Sequence, residues 1–416
     1  MEKTVRVLII APRLLPIPAV GGGAIETLIT NLLDENEKRR RFRFVVISVP
    51  DDRAEAITYK YSKVCYCKDG VIEYGFKPFS HLYYKAITLM HRIKNKASRI
   101  MFGQVRQKPD ELPFDPFFIQ CRRIAKKEKV KYIIEEDWSP KQFPRFYDIV
   151  GKENIYFHLH GNLKEDLAFR QIINNSISVS EFIRRDWVVD QTIPGRNIVI
   201  HNGIDTKRFG KVLPPEERTR QRKALGISDN EMLAIFCGRL IPEKGVKELL
   251  EAFELLQDYP VRLLLIGSVN FSKDDSTNYS EEMILKAKNM KSVTYLGYVP
   301  NEKLHEYTQL ADMQIIPSIW QDPAPLACIE GMASGLPQII TKSGGMVEYA
   351  SEDCAIILPI DDHLSENIAQ AVIRLLHDPD LRKKMGKAGR ERAGQFSIAC
   401  YYDSFVAEFC RNQNDN

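Results

Sequence analysis

The strongest constraint on the fold is an alternation that runs through residues 197–358. Short, nearly unbroken apolar runs occur at Asn197–Ile200, Met232–Cys237, Val261–Ile266, Ser292–Leu296, Met313–Pro317, Pro337–Thr341 and Ala355–Leu358. Stretches of helical spacing separate them, as in Val246, Leu249, Leu250, Phe253 and Leu256, which share one helix face. Strands that are apolar throughout, rather than at every second residue, predict a parallel sheet covered on both faces. The first half repeats the theme. Strands are predicted at Val5–Ile10, Phe44–Ser48, Tyr132–Glu135, Asn154–Leu159 and Ser176–Val179. Helices are predicted at Ala24–Leu33, Leu82–Met101, Phe114–Lys127 and Glu181–Val189.

A chain of 416 residues exceeds one ordinary core. The pattern breaks at Thr192-Ile193-Pro194-Gly195, so the predicted division is two doubly wound Rossmann-like domains, 1–194 and 195–396. A final helical stretch within 397–416 is expected to cross back onto the first domain. The formal charge of +4 gives no reason to expect a nucleic-acid partner. The eight cysteines include no CxxC pairs at zinc spacing, which fits reduced thiols. Cys237 and Cys328 read as small core residues. Pro12, Arg13, Pro16 and Pro18 interrupt the apolar N-terminus, and no run of 18 apolar residues occurs. A cytoplasmic protein is expected, either free or peripheral to a membrane.

Candidate site residues gather after strands. Gly21-Gly22-Gly23 precedes the first helix, where glycines admit a ligand to the backbone and a helix N-terminus favours an anion; a plain tight turn uses the same residues. Gly238–Gly245 puts Arg239 at a strand end and Lys244 just before a helix. A lysine there faces the positive end of the helix dipole, so its placement is sensible beside an anion. In Asp322–Pro337, Pro325 suits a first helical position and Gly335 a helix end, with Glu330 about 7.5 Å along the axis at 1.5 Å per residue. Gly344-Gly345 is either a phosphate-facing turn or a structural one. His160 follows the strand that carries His158, at the edge where α/β sheets bind ligands.

Together these motifs resemble glycosyltransferase family 4, the retaining family with two facing Rossmann-like domains known as GT-B. The resemblance is strongest over His201-Asn202-Gly203-Ile204-Asp205, Gly238–Gly245, Leu296-Gly297-Tyr298-Val299-Pro300, Asp322–Pro337, and Gly344-Gly345 with Glu348. Gly21–Gly23 with Glu26, His160-Gly161 and Val179-Ser180-Glu181-Phe182 look like the family's N-terminal marks. The nearest flavour is the enzymes of bacterial cell-surface polysaccharide or spore-coat glycans.

The resemblance implies that Arg239 and Lys244 hold a donor diphosphate and that Glu330 binds the ribose hydroxyls. Tyr298 and Val299 would hold the base, with Asn202, Leu326 and Ala327 also on the donor side. Asp322 and His160 would meet the sugar, while Gly22 and Gly23 pass under the phosphates. No metal site and no cofactor are implied; the substrate is a nucleotide diphosphate sugar, UDP favoured over GDP. The acceptor would be a glycan or a lipid-linked or cell-surface polysaccharide.

Two departures stand out. Asp322 replaces the family's first glutamate, and Ala324-Pro325 replaces its Phe-Gly, which removes a backbone N–H. The competing classes are a sugar-nucleotide epimerase of the same fold and a catalytically degenerate nucleotide-sugar-binding or coat protein. Residues 76–109 lack any acid and carry Lys77, Lys85, Arg92, Lys94, Lys96, Arg99, Arg106 and Lys108. That composition fits either a basic amphipathic face on anionic membrane or a solvated cationic helix.

Overall fold

The computed structural model describes residues 4–67, 116–136, 140–161, 172–188, 195–269 and 277–410. The expected helix 82–101, the basic stretch 76–109 and Asn162 lie outside them.

Two parallel sheets organise the chain. The first contains β1 (Val5–Ile10), β2 (Phe42–Ser48), β3 (Lys63–Tyr66), β4 (Tyr132–Glu135), β5 (Ile155–Leu159), β6 (Asn175–Ser178) and β7 (Asn197–Val199), in the order β3-β2-β1-β4-β5-β6-β7. The second contains β8 (Met232–Cys237), β9 (Val261–Ile266), β10 (Val293–Gly297), β11 (Met313–Ile316), β12 (Gln338–Thr341) and β13 (Ala355–Leu358), in the order β10-β9-β8-β11-β12-β13. Both are doubly wound, so each sheet reverses its winding once, between β1 and β4 and between β8 and β11. Loops leaving the carboxyl ends of those four strands flank the crevices where such sheets bind ligands.

Double-sided burial explains the apolar strands. Within β8 and β9, Ala234, Phe236, Leu263 and Leu265 pack on one side with the helix Val246–Leu255, and Leu233, Ile235, Leu264 and Ile266 pack on the other. Each fully buried Leu or Phe of these faces contributes roughly 1.5–3 kcal/mol of transfer free energy.

One strand is placed differently from the sequence pattern. Asn197–Val199 was grouped with the second half, yet it pairs with β6 as the edge of the first sheet. The Ser176 hydroxyl donates to Asn197 Oδ1 at 2.7 Å, and the Arg196 N–H donates to Asn175 Oδ1 at 3.0 Å. Gly195 has φ +89, and a Cβ there would sit 2.3 Å from the Asn174 carbonyl oxygen. Only glycine lets the chain run this close beside β6, so the first sheet extends beyond residue 194.

The helix Ile398–Phe409 lies on the first lobe. Its Tyr401, Tyr402, Phe405 and Phe409 join the cluster under Val7, Ile9, Phe44 and Val46. The Tyr402 hydroxyl donates to Asn36 Oδ1 at 2.7 Å, and Arg39 pairs with Asp403. The two crossings between lobes run side by side, with N–H groups of Ile204 and Ile398 donating to carbonyls of Phe396 and Ile204 at 2.9 and 3.0 Å.

Candidate active site between two switch points

The second lobe supplies cations and a buried acid. Arg239 follows β8; it is exposed and has no ion-pair partner among the described residues. Lys244 ends a short 3-10 turn, Pro242–Lys244, immediately before the helix Val246–Leu255. Gly245 between them has φ +67, and a Cβ would come within 1.9 Å of the Pro317 carbonyl oxygen. That contact presses the β8 loop onto the β11 loop. Lys244 Nζ thereby reaches the Asp322 carboxylate and forms an ion pair with side chains 20% and 6% exposed. The anion that Lys244's position calls for is, in this structure, Asp322 itself. The Ser318 hydroxyl donates to the same carboxylate at 3.4 Å, and the Asp322 N–H donates to Ser343 Oγ at 2.9 Å.

The following helix is Leu326–Ala333, so Pro325 is its N-cap rather than its first helical residue. Its φ of −70 and ψ of 117 are extended, a geometry proline accepts readily. Gly335, at φ +77, ends the helix as expected. Glu330 is buried on this helix and accepts from Asn301 Nδ2 at 3.2 Å. Burial raises its carboxyl pKa, while Asn301 and Arg208 oppose the rise. Tyr298 and Val299 follow β10 half-buried, and the charge of Arg53 from the first lobe acts on Tyr298.

The paired glycines at 344–345 have a structural role. The Gly344 N–H donates to Gln321 Oε1 and the Gly345 N–H to the Asp322 carbonyl, both at 2.8 Å. Neither amide is left for a phosphate. Asn202 lies buried in the hinge, where its Nδ2 donates to the Ala324 carbonyl at 3.3 Å. Leu326 packs against the first-lobe cluster, and Ala327 against its own lobe.

The first lobe supplies glycines and titratable groups. Gly22 and Gly23 have φ +88 and +91. A Cβ on Gly23 would meet Glu26 Oε2 at 2.0 Å, so this glycine makes room for the Glu26 carboxyl as well as for the turn. Burial pushes that carboxyl up to about 7, with a smaller push from Glu136. After β4, Glu136 is buried beneath His158 and His160. His158 Nδ1 lies 2.9 Å from Oε1 and His160 Nε2 lies 2.5 Å from Oε2. Burial opposes charge on Glu136, but the imidazoles outweigh it and hold the carboxyl at about 2. Burial, then His158, lowers the His160 pKa. Among the described residues, Glu136, His158 and His160 form the group whose ligand atoms are close enough for a metal, all within 4.8 Å. Sequence reasoning missed Glu136; its signal was an acid pair, Glu135-Glu136, closing an apolar strand.

The lobes meet directly. N–H groups of Glu181 and Phe182, at the start of the first-lobe helix Glu181–Trp187, donate to Glu348 at 2.6 and 2.5 Å. The Tyr349 hydroxyl donates to the Val179 carbonyl at 2.6 Å. These contacts hold the segment after β6 of the first lobe against the segment after β12 of the second.

Residues 217–392 match the family model described as glycosyl transferases group 1. This span holds all six strands of the second sheet, so the likeness falls on the second lobe. An uncharacterized glycosyltransferase of Methanocaldococcus jannaschii is 30% identical over 186 residues, 44% of this chain and 46% of the relative. The chain spans about half the length of the first curated relatives it matches. A glycosyltransferase from Rickettsia africae superposes with a TM-score of 0.73 at 17% identity, covering 99% of this chain and 100% of that one. Anabaena HepE, solved in complex with UDP-glucose, gives 0.68 at 16% identity, covering 97% and 99%. These structural likenesses establish the GT-B fold. No described helix is long and apolar enough to cross a membrane.

Proposed function

We propose that the chain is a retaining glycosyltransferase that moves a sugar from a nucleotide diphosphate donor, with UDP favoured over GDP, to a glycan or lipid-linked cell-surface acceptor. The observation that carries this reading is the convergence after β8 and β11. Arg239, exposed and without an ion-pair partner among the described residues, stands on the same loop as Lys244, which is already poised against an anion. Departure of a diphosphate builds negative charge, and fixed cations in a cleft lower that barrier without any reorganisation. Arg239 and Lys244 take that role. Glu330 meets the ribose, and Tyr298 and Val299 the base. Asp322 and His160 contact the donor sugar, and Gly22 and Gly23 admit the phosphates from the opposite lobe. Retention follows from same-face substitution in which the leaving phosphate helps deprotonate the acceptor, so no enzymatic nucleophile and no metal is assigned. A cytoplasmic site of action, with residues 76–109 on anionic membrane, suits a lipid-linked acceptor.

Thermal-shift measurements against UDP-, GDP-, ADP- and dTDP-sugars test the reading. A true donor at 100 times its Kd stabilises by about 2.7 kcal/mol, and Arg239→Ala weakens that effect. If no nucleotide sugar shifts the melting curve, the proposal fails.

A further inference from the structure

The first-lobe wall contains a buried polar frame of which the donor-binding roles above use only His160. Glu136 stands at the end of β4, and both imidazoles of β5 and its following loop converge on its carboxylate. The three groups are 1–11% exposed by side chain, with His160 the most accessible. Glu26 and the Tyr401 ring from the helix Ile398–Phe409 are close enough to act on the same carboxylate.

A buried carboxylate is an acceptor only, so each facing ring nitrogen must carry the hydrogen. For a neutral ring, that requirement fixes the tautomer. A neutral His158 is then Nδ1–H with a bare lone pair on its buried Nε2, a nitrogen with no partner among the described residues. The opposite assignment would set two bare acceptors, nitrogen and oxygen, against each other. His160 is Nε2–H, which leaves Nδ1 as its bare nitrogen. Nδ1 has no partner among the described residues and is not sealed from solvent.

The same distances fit hydrogen bonds better than metal ligation. Zinc ligands at 2.0–2.1 Å in tetrahedral array stand about 3.3 Å apart. The nitrogen–oxygen contacts of 2.9 and 2.5 Å are tighter than that and suit shared hydrogens.

We propose that Glu136 is a positioning residue: its carboxylate clamps His158 and His160 and presents Nδ1 of His160 as a hydrogen-bond acceptor for a sugar hydroxyl. The sugar part of this proposal rests on the glycosyltransferase reading; the clamp does not. His160 therefore selects a hydroxyl that can donate, and loss of the clamp lets the ring flip or change tautomer. The isosteric Glu136→Gln keeps one acceptor oxygen and adds an NH2 donor, so one imidazole must either change tautomer to accept from the amide or lose its partner.

The test uses the whole chain labelled with 15N-histidine, with long-range proton–nitrogen correlation reporting each tautomer and His160→Gln assigning the His160 signals. The expected result at pH 7.5 is a neutral His160 protonated at Nε2, and a mixture of tautomers in Glu136→Gln. In turnover assays the same variant is expected to lose kcat roughly 10- to 100-fold, the range seen when the partner orienting a site histidine is removed, while the donor KM moves less than about threefold. A His160 protonated at Nδ1 in the unmodified protein overturns the proposal, as does unchanged kcat in a folded Glu136→Gln. Titration with zinc chloride separates the remaining possibility: a stoichiometric site abolished by Glu136→Gln would make the group a metal centre and overturn the clamp. The tautomer is read without any donor, so a chain that turns over no nucleotide sugar sinks the functional reading and leaves the clamp standing.

Discussion

Replacing Lys244 by alanine separates its two roles. The ion pair with Asp322 joins a lysine side chain 20% exposed to a carboxylate 6% exposed. Removing the lysine strands a buried charge, at a cost near the low end of the range for broken buried pairs, about 3 kcal/mol. In a protein of this size that lowers Tm by roughly 3–4 °C. Loss of a cation from the departing diphosphate costs transfer at least about 100-fold, or about 2.7 kcal/mol of barrier. The double variant Lys244→Ala/Asp322→Asn restores the stability, because the stranded charge is gone, but leaves turnover low. Differential scanning calorimetry and steady-state kinetics on wild type, the single variant and the double variant read both quantities. Lys244→Ala with turnover within threefold of wild type refutes the leaving-group role. Recovery of turnover in the double variant shows instead that Lys244 only neutralised Asp322.

Three further outcomes follow. Glu26 has its carboxyl raised to about 7, so the folded state holds a proton that the unfolded state releases near 4.5; stability falls as pH rises from 4.5 to 7. Glu26→Gln is expected to gain about 3 kcal/mol at pH 8 and almost nothing at pH 4.5, by urea denaturation. Burial opposes charge on Glu348, but His201 and the amides of Glu181 and Phe182 lower its pKa overall, so its stabilisation is present at neutral pH and lost as pH falls below the ordinary carboxylate range. Glu348→Ala should cost about 1–2 kcal/mol and speed hydrogen exchange at Glu181 and Phe182. Glu330→Ala should reduce transfer at least about 100-fold, with near-wild-type turnover contradicting its ribose role.

The parts legible in sequence are those where a local pattern forces the geometry. Alternating strands and helices demanded parallel sheets, and the Val246–Leu255 face emerged from spacing alone. Arg239, Lys244 and Asp322 could be placed after strands because Gly and Pro mark those loop ends. Long-range pairing carried no such mark. Lys244 and Asp322 meet across 78 positions because Gly245 lets the β8 loop touch Pro317, a contact no periodicity encodes. Asn197–Val199 reads as a strand but does not name its neighbour; Gly195 and the Asn175 side chain choose it. Glu136 carried one weak sign, and only strand order brings it beneath the histidines.

Strand order also explains why the two lobes contribute unlike chemistry. Each sheet has a single winding reversal, and each reversal opens one crevice between a pair of loops. In the second lobe the pair following β8 and β11 is pinned by Gly245 against Pro317, and it concentrates cations over the start of a helix. In the first lobe the loops following β1 and β4 carry Glu26, which Gly23 makes room for, and Glu136, and the imidazoles of β5 and its following loop close on Glu136. In the proposed reading Arg239 and Lys244 meet the diphosphate from one lobe and His160 meets the sugar from the other, so donor binding draws on both. The Glu348 contact with the helix Glu181–Trp187 then has a functional consequence beyond stability. It sets the separation of the two crevices, and loosening it should weaken donor binding even though Glu348 is assigned no donor contact.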